Sequence, residues 1–186
     1  MLRPRKGIAM KRTILALTCI GLLGAPALAQ SVGEKTGVNS VLGVAPKTED
    51  FIKEVALSDM TEIEAAKIAL QRGNAEDKTF AAQMETDHTK TSTELRQLVP
   101  DNLKAALPGG LDDASKKKLD KLHEAKNDSF SKDYRSAQVS AHKDAVSLFE
   151  RYAKGGDNAK LKDWAGKTLP ALQHHLKMAQ ELYDKT

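Results

Sequence analysis

Apolar residues recur at helical spacing in four segments of this chain, and no segment alternates apolar and polar residues for long enough to indicate a β-strand. The four segments span about 49–72, 76–99, 112–154 and 158–184. Gly73-Asn74 ends the first segment, Pro100 ends the second, and Gly155-Gly156 closes the third. The pattern therefore predicts an all-α protein with one long third helix.

The apolar stripes also predict how the helices pack. Short turns after the first and third helices make two antiparallel hairpins, and these hairpins can bury all four stripes only by packing together. The sequence therefore predicts an antiparallel four-helix bundle over residues 49–186, with Pro170 kinking the last helix. The larger residues predicted to face its core are Phe51, Ile52, Val55, Ile63, Leu70, Phe80, Met84, Leu95, Leu98, Leu119, Leu122, Phe130, Tyr134, Val146, Phe149, Tyr152, Leu161, Trp164, Leu172, Leu176 and Leu182.

The N-terminus reads as an export signal rather than as part of the bundle. Lys11 and Arg12 precede an apolar run over 14–23. The sequence Ala27-Leu28-Ala29 has the small residues of a signal-peptidase cleavage site, which predicts cleavage after Ala29. The run is shorter than the ~20 residues of a membrane-spanning helix, so no permanent span is expected. Residues 30–48 follow as a predicted flexible lead, and the mature protein is expected to be periplasmic or secreted.

Removing residues 1–29 changes the charge and the thiol content. The formal net charge falls from +4 to −1 because this segment holds five basic residues and no acidic ones. A near-neutral chain lacks the basic balance of a nucleic-acid or anionic-membrane binder, whereas a protein partner or a homo-oligomer stays open. Cys19, the only cysteine, lies inside the signal, so no disulfide or cysteine-bound metal is expected. Lipidation at Cys19 is a minor alternative.

Each apolar stripe is interrupted by one residue that can bind a metal ion. Glu62, His88, His142 and His175 fall at helical spacing from core residues of the first, second, third and fourth helix. Counting residues from the turns leaves mismatches in height of ~6–8 Å within each hairpin, which helix tilt and long side chains can partly absorb, so the count permits a common site. Asp59 lies closer in height to His88 than Glu62 does. The spacing predicts a shared metal site formed by these four residues, with Asp59 as a further candidate donor.

Imidazole and carboxylate donors do not identify the ion. Iron, zinc, manganese and copper all accept such ligands, so the predicted cofactor is a transition metal of unspecified kind. The alternative is that the histidines are structural core residues that hydrogen-bond neighbouring helices. In that case the protein is a non-catalytic envelope protein that presents its surface to a partner.

Catalytic motifs are scarce in the sequence. Glu85 and His88 have the Glu-x-x-His spacing of di-iron bundles. This motif occurs only once in the sequence, whereas a full di-iron site needs two copies. The sequence also lacks a glycine-rich phosphate loop and a serine or cysteine nucleophile motif. These observations disfavour an oxidase or peroxidase and leave enzyme activity without support.

Four motifs occur in order along the chain: Glu62-Ile63-Glu64, Met84-x-x-Asp87-His88, Phe130-x-x-x-Tyr134 before His142, and Thr168-Leu169-Pro170-x-Leu172-x-x-His175-Leu176-x-Met178-Ala179. With this set the chain resembles the exported bacterial ferritin-like family catalogued as domain of unknown function 4142, over about residues 49–183. The resemblance implies a ferritin-like bundle, an envelope location, and matching positions at Glu62, His88, His142 and His175, with Asp87 as another candidate donor.

Three positions depart from the usual pattern of that family. Ser131 and Ala141 stand where relatives often have aspartate, and Gln138 stands where they often have methionine. Because all three lie on the helix that carries His142, the hydrogen-bonding support of this histidine is expected to differ from that of the relatives.

Overall fold

A computed structural model describes residues 42–186, and within this range the chain is all helical, with no β-strand. The predicted signal peptide, Cys19 and the lead up to residue 41 lie outside the described residues. None of the helices in the described range has the length and apolar character needed to cross a membrane. The helices are α1 (Thr48–Arg72), α2 (Ala75–Leu98), a 3-10 helix η1 (Asp101–Ala106), α3 (Asp113–Glu124), α4 (Phe130–Gly155) and α5 (Ala159–Tyr183).

Side chains at the turns define where the helices begin. Asn74 and Asp77 form a capping box at the start of α2, in which each side chain accepts a hydrogen bond from the backbone N–H of the other. Gly73 closes the turn before it, where a Cβ would lie only 2.6 Å from the Cβ of Asp77. Asp112 and Asn158 likewise accept backbone N–H groups at the starts of α3 and α5.

The prediction of one continuous third helix was wrong. The segment 112–154 forms two helices, α3 and α4, separated by residues 125–129. Arg72, the last residue of α1, donates hydrogen bonds to the carbonyl oxygens of Leu122, His123 and Ala125. These carbonyls have no intrahelical partner once the helix stops, so Arg72 stabilises the break.

The four long helices pair in sequence order and then pack together. α1 contacts α2 and α4 contacts α5 most extensively, which gives two hairpins. Glu62 meets Gln138 across α1 and α4, and Asp87 meets His175 across α2 and α5. η1 packs on α1, and α3 lies over α1 and α4.

The interior contains two apolar clusters with a polar layer between them. One cluster is rich in aromatic rings, where Phe51 stacks on Tyr152 and Trp164 packs near Phe149. The other is built around Phe80, Met84, Phe130 and Tyr134 at the opposite end of the helices. Buried residues of the layer between them are Asp59, Glu62, His88, Gln138, His142 and His175.

A second buried polar group lies beyond the Phe80 cluster. The Nε atom of Arg135 donates to Asp77 Oδ1 at 2.6 Å, and its Nη1 atom donates to the carbonyl oxygen of Leu182 at 2.8 Å. The other carboxylate oxygen of Asp77 accepts from the Asn74 N–H and from the Ser131 hydroxyl. This network joins the start of α2 to α4 and to the end of α5.

Candidate metal centre

Three histidines from three helices converge in the polar layer. His88 of α2, His142 of α4 and His175 of α5 are 3%, 1% and 4% exposed. Their ring centroids are separated by 5.5 to 5.9 Å, and one ring nitrogen of each lies within 4.8 Å of the corresponding nitrogens of the other two. Three imidazoles therefore share one small, buried volume.

Each ring is held by a hydrogen bond through its other nitrogen. His88 Nδ1 pairs with Asp59 Oδ1, His142 Nδ1 with the backbone carbonyl of Gln138, and His175 Nε2 with Asp87 Oδ2, all at 2.9 Å. Because carbonyl and carboxylate oxygens accept, these ring nitrogens carry the protons. In the neutral form of each ring, the lone pair therefore lies on Nε2 of His88, Nε2 of His142 and Nδ1 of His175.

These same three nitrogens have no hydrogen-bond partner, although they are buried. A buried polar atom without a partner is costly, so most proteins satisfy such atoms. Two nitrogens bound to one tetrahedral zinc ion at ~2.1 Å stand ~3.4 Å apart, so a modest inward movement of the rings suffices to coordinate one ion. The orientation of each ring by a carboxylate or a carbonyl is also the usual outer support of metal-bound histidine.

The electrostatics keep two of the three rings neutral. Burial lowers the pKa of His175 to about 4, and the neighbouring charge of His142 acts in the same direction. Burial likewise lowers the pKa of His142. Burial opposes protonation of His88 as well, but the hydrogen bond to Asp59 and the charge of Glu62 outweigh it and raise the pKa of His88. A cation that binds here must therefore displace a proton chiefly from His88.

Glu62 lies beside the histidines but is held by another residue. Gln138 Nε2 donates to Glu62 Oε2 at 2.7 Å, and the Gln138 Oε1 atom has no partner. The hydroxyl of Tyr134, one turn before Gln138 on α4, is also buried without a partner. Burial raises the pKa of Tyr134, and the charge of Glu62 adds to the effect. The phenol therefore stays protonated next to this carboxylate.

The structure brings together three of the four residues that the spacing selected, and it gives the other candidates distinct surroundings. Asp59 and Asp87, expected as additional donors, each accept the N–H of one histidine. The Thr91 hydroxyl also donates to Asp59 Oδ1, at 2.9 Å. The sequence reasoning missed Thr91, although its position three residues after His88 is a usable signal.

The fourth predicted donor, Glu62, is bonded to Gln138, and its role as a ligand stays a prediction. Gln138 was noticed only as a departure from a family pattern, not as the partner of Glu62. The other two histidines of the described residues, His123 and His174, are exposed.

Comparison with known proteins identifies a family. A family model described as domain of unknown function (DUF4142) matches residues 33–182, which is most of the chain. Searches of curated proteins and of solved structures found no match.

Proposed function

The chain belongs to the DUF4142 family, and from this premise we propose that it is an exported protein that binds one divalent transition-metal ion through His88, His142 and His175. We further propose that its long helices form a ferritin-like four-helix bundle that works in the periplasm. The predicted signal peptide over residues 1–29 supports export, and the pairing of the helices into two packed hairpins supports the bundle.

One observation carries the proposal of a metal site. Three buried imidazoles each offer a ring nitrogen within 4.8 Å of those of the other two, and one nitrogen of each ring has no hydrogen-bond partner. A structural histidine in a core normally has both nitrogens satisfied, because an unsatisfied buried nitrogen costs ~1–3 kcal/mol. Three such costs in one place are offset if the lone pairs bind a common cation, which the structural-histidine alternative does not provide.

The donor chemistry narrows the ion. Imidazole suits zinc, copper and ferrous iron, whereas manganese prefers oxygen donors. Three nitrogens also leave at least one coordination position for water, an exchangeable ligand or Glu62. We therefore propose zinc, copper or ferrous iron as the bound ion, with manganese the weakest fit.

The proposed role is metal handling or protection of the envelope under stress. Di-iron oxidases have two Glu-x-x-His motifs, which supply ligands from two helices. In this sequence the motif occurs once, at Glu85 and His88, so a second set of metal ligands opposite the three histidines is not expected. An ion held by neutral ligands in a pH-sensitive site can be bound and released by proton exchange. This behaviour suits a carrier or a buffer of metal ions better than an oxidase.

A titration of the mature protein, residues 30–186, tests this function. Zinc and cobalt are titrated by calorimetry into the wild type and into a His142→Ala, His175→Ala double variant. We expect one ion per chain in the wild type and no binding in the double variant. A His123→Ala, His174→Ala variant, which removes two exposed histidines, is the matched control and should bind like the wild type. Equal binding by all three proteins would refute the site.

A further inference from the structure

A cleft lies between α1 and α4. Charged and polar side chains line part of it, unlike the two apolar clusters of the core. The volume of the cleft is about 670 Å³, and α3 forms part of its wall. α1 and α4 contact each other less extensively than the two helices of either hairpin. Small residues of α4 line the cleft, among them Ala137, Ser140 and Ala141. These short side chains keep the space between the two helices open.

The lining of the cleft favours cations. It contains four carboxylate side chains, those of Glu54, Glu62, Asp112 and Asp144, against the cationic side chains of Lys118 and Arg151. A concave surface with an excess of one charge raises the local concentration of ions of the opposite sign. The cleft therefore attracts cations although the mature chain as a whole is near neutral.

Two polar residues of the cleft wall also interact with the histidine layer. Gln138 lines the cleft, is 2% exposed, and has an Oε1 atom without a partner. Its Nε2 atom holds Glu62, which lines the cleft too and whose charge acts on both His88 and His142. An oxygen acceptor and a carboxylate thus stand between the open cleft and the proposed site.

A small inner cavity continues from the cleft. Its volume is about 10 Å³, close to the minimum for one water molecule, and its lining includes Asp59 and His88. Ser58, Ala145 and Leu148 line both the inner cavity and the outer cleft. The two spaces are therefore adjacent, and the inner one reaches a proposed ligand.

From these contacts we infer that the cleft between α1 and α4 is the access route by which a hydrated divalent cation reaches the three histidines. This inference rests on the proposed metal site. The carboxylates of the cleft collect the ion, and the acceptor groups of Gln138 and Glu62 replace part of its water shell before the imidazoles bind it. The competing route runs between α2 and α5, where the side chain of Asp87, the partner of His175, is 31% exposed.

The rate at which cobalt(II) loads tests the route. Cobalt absorption bands are followed by stopped flow after mixing with the metal-free mature protein, and the final spectrum is recorded separately. Ala141→Trp fills the cleft, whereas Ala171→Trp places the same ring at an exposed position of α5, one turn before His175 and outside the cleft lining. We expect Ala141→Trp to load at least tenfold more slowly than the wild type, with the same final spectrum, and Ala171→Trp to load at the wild-type rate.

Two charge-reversal variants at exposed positions test the same route independently, in case the tryptophan variants do not fold. Asp144→Lys reverses a charge on the cleft, and Asp163→Lys reverses one on α5 outside it. We expect Asp144→Lys to slow loading several-fold at low salt, with a smaller effect at high salt, and Asp163→Lys to have little effect.

The outcomes separate the route from the site. Wild-type rates for both Ala141→Trp and Asp144→Lys, with normal final spectra, would overturn the route and leave the site intact. Slow loading of Ala171→Trp alone would place access on the α5 side of the site instead. If the wild type gives no cobalt spectrum at all, the metal site itself is refuted, and the route with it.

Discussion

Two buried polar groups in this protein look alike in composition and differ in how their atoms are satisfied. In the Asp77–Arg135 network, every side-chain nitrogen and carboxylate oxygen of the two residues has a partner. In the histidine layer, three ring nitrogens, the amide oxygen of Gln138 and one carboxylate oxygen of Asp59 have none, and neither has the hydroxyl of the neighbouring Tyr134. Both groups are buried among the same helices, so burial alone does not separate them.

The difference indicates different purposes. A saturated network gains nothing from a further ligand and serves to fix the ends of helices. An unsaturated network, in which buried ring nitrogens lie close together without partners, is stabilised when a ligand binds them. The difference in hydrogen-bond satisfaction therefore supports the histidine layer, rather than the ion pair, as the proposed metal site.

Breaking the Asp77–Arg135 network should have the largest effect. Arg135→Met leaves a buried carboxylate without its cation, and we expect the free energy of unfolding to fall by about 3–5 kcal/mol. Urea denaturation of the metal-free protein measures this. Because the network is structural, the metal affinity of the folded variant should stay unchanged, and a large loss of affinity would show that the two groups are not independent.

Lowering the pH should decrease the free energy of unfolding, because burial keeps His175 neutral in the folded protein. The pKa of His175 is about 4 in the folded protein against 6.5 ordinarily, so below pH 6.5 the unfolded chain takes up a proton that the folded chain does not. Stability is therefore retained above pH 6.5 and lost as the pH falls toward 4, by about 3 kcal/mol from this group. His88, whose pKa is raised, acts in the opposite sense and loses its contribution as the pH rises.

A His175→Phe variant isolates this contribution from that of the other titrating groups. Its free energy of unfolding should fall less between pH 6.5 and 4 than that of the wild type, as measured by urea denaturation at each pH. Parallel curves for the two proteins would contradict the assigned neutral state of His175.

Asp59→Asn should weaken metal binding without disturbing the fold. The substitution keeps the size of the side chain but removes the charge that supports His88. Loss of such outer partners typically lowers metal affinity 10- to 100-fold, or about 1.4–2.8 kcal/mol. Competition with a chromophoric chelator measures the affinity. An affinity equal to that of the wild type would mean that Asp59 does not support a ligand.

Gln138→Met should have the smallest effect and tests the predicted role of Glu62. The substitution removes the hydrogen bond that holds the Glu62 carboxylate and leaves a side chain of similar size. If Glu62 can act as a fourth donor, its release should tighten metal binding a few-fold, or by less than about 1.4 kcal/mol. Unchanged affinity, measured by the same chelator competition, would argue against Glu62 as a ligand.

The sequence predicted the helical stripes well because each long helix keeps its apolar spacing over several turns. Phe51, Phe80, Tyr152 and Trp164 are all buried as the spacing requires. The apolar spacing alone does not mark the break between α3 and α4, although Asn127, Asp128 and Ser129 between the two helices are typical turn residues. Arg72, about 50 residues earlier in the chain, donates to the carbonyl oxygens that the break leaves free.

The candidate site was predictable in part for the same reason. Spacing along each helix is enough to direct His88, His142 and His175 inward. It cannot tell which nitrogen of a ring is used, because that depends on acceptors such as Asp59 on a different helix. The bond between Glu62 and Gln138 likewise joins two helices and depends on their rotation about their own axes, which the apolar pattern leaves loosely defined.

X-ray absorption spectroscopy of the zinc-loaded mature protein tests the central claim most directly, because it counts the ligands of the bound ion. We predict a first shell at ~2.0–2.1 Å with the outer-shell scattering of three imidazoles, reduced to that of a single imidazole or lost in the His142→Ala, His175→Ala variant. A shell of oxygen atoms alone, without imidazole scattering, would contradict the account.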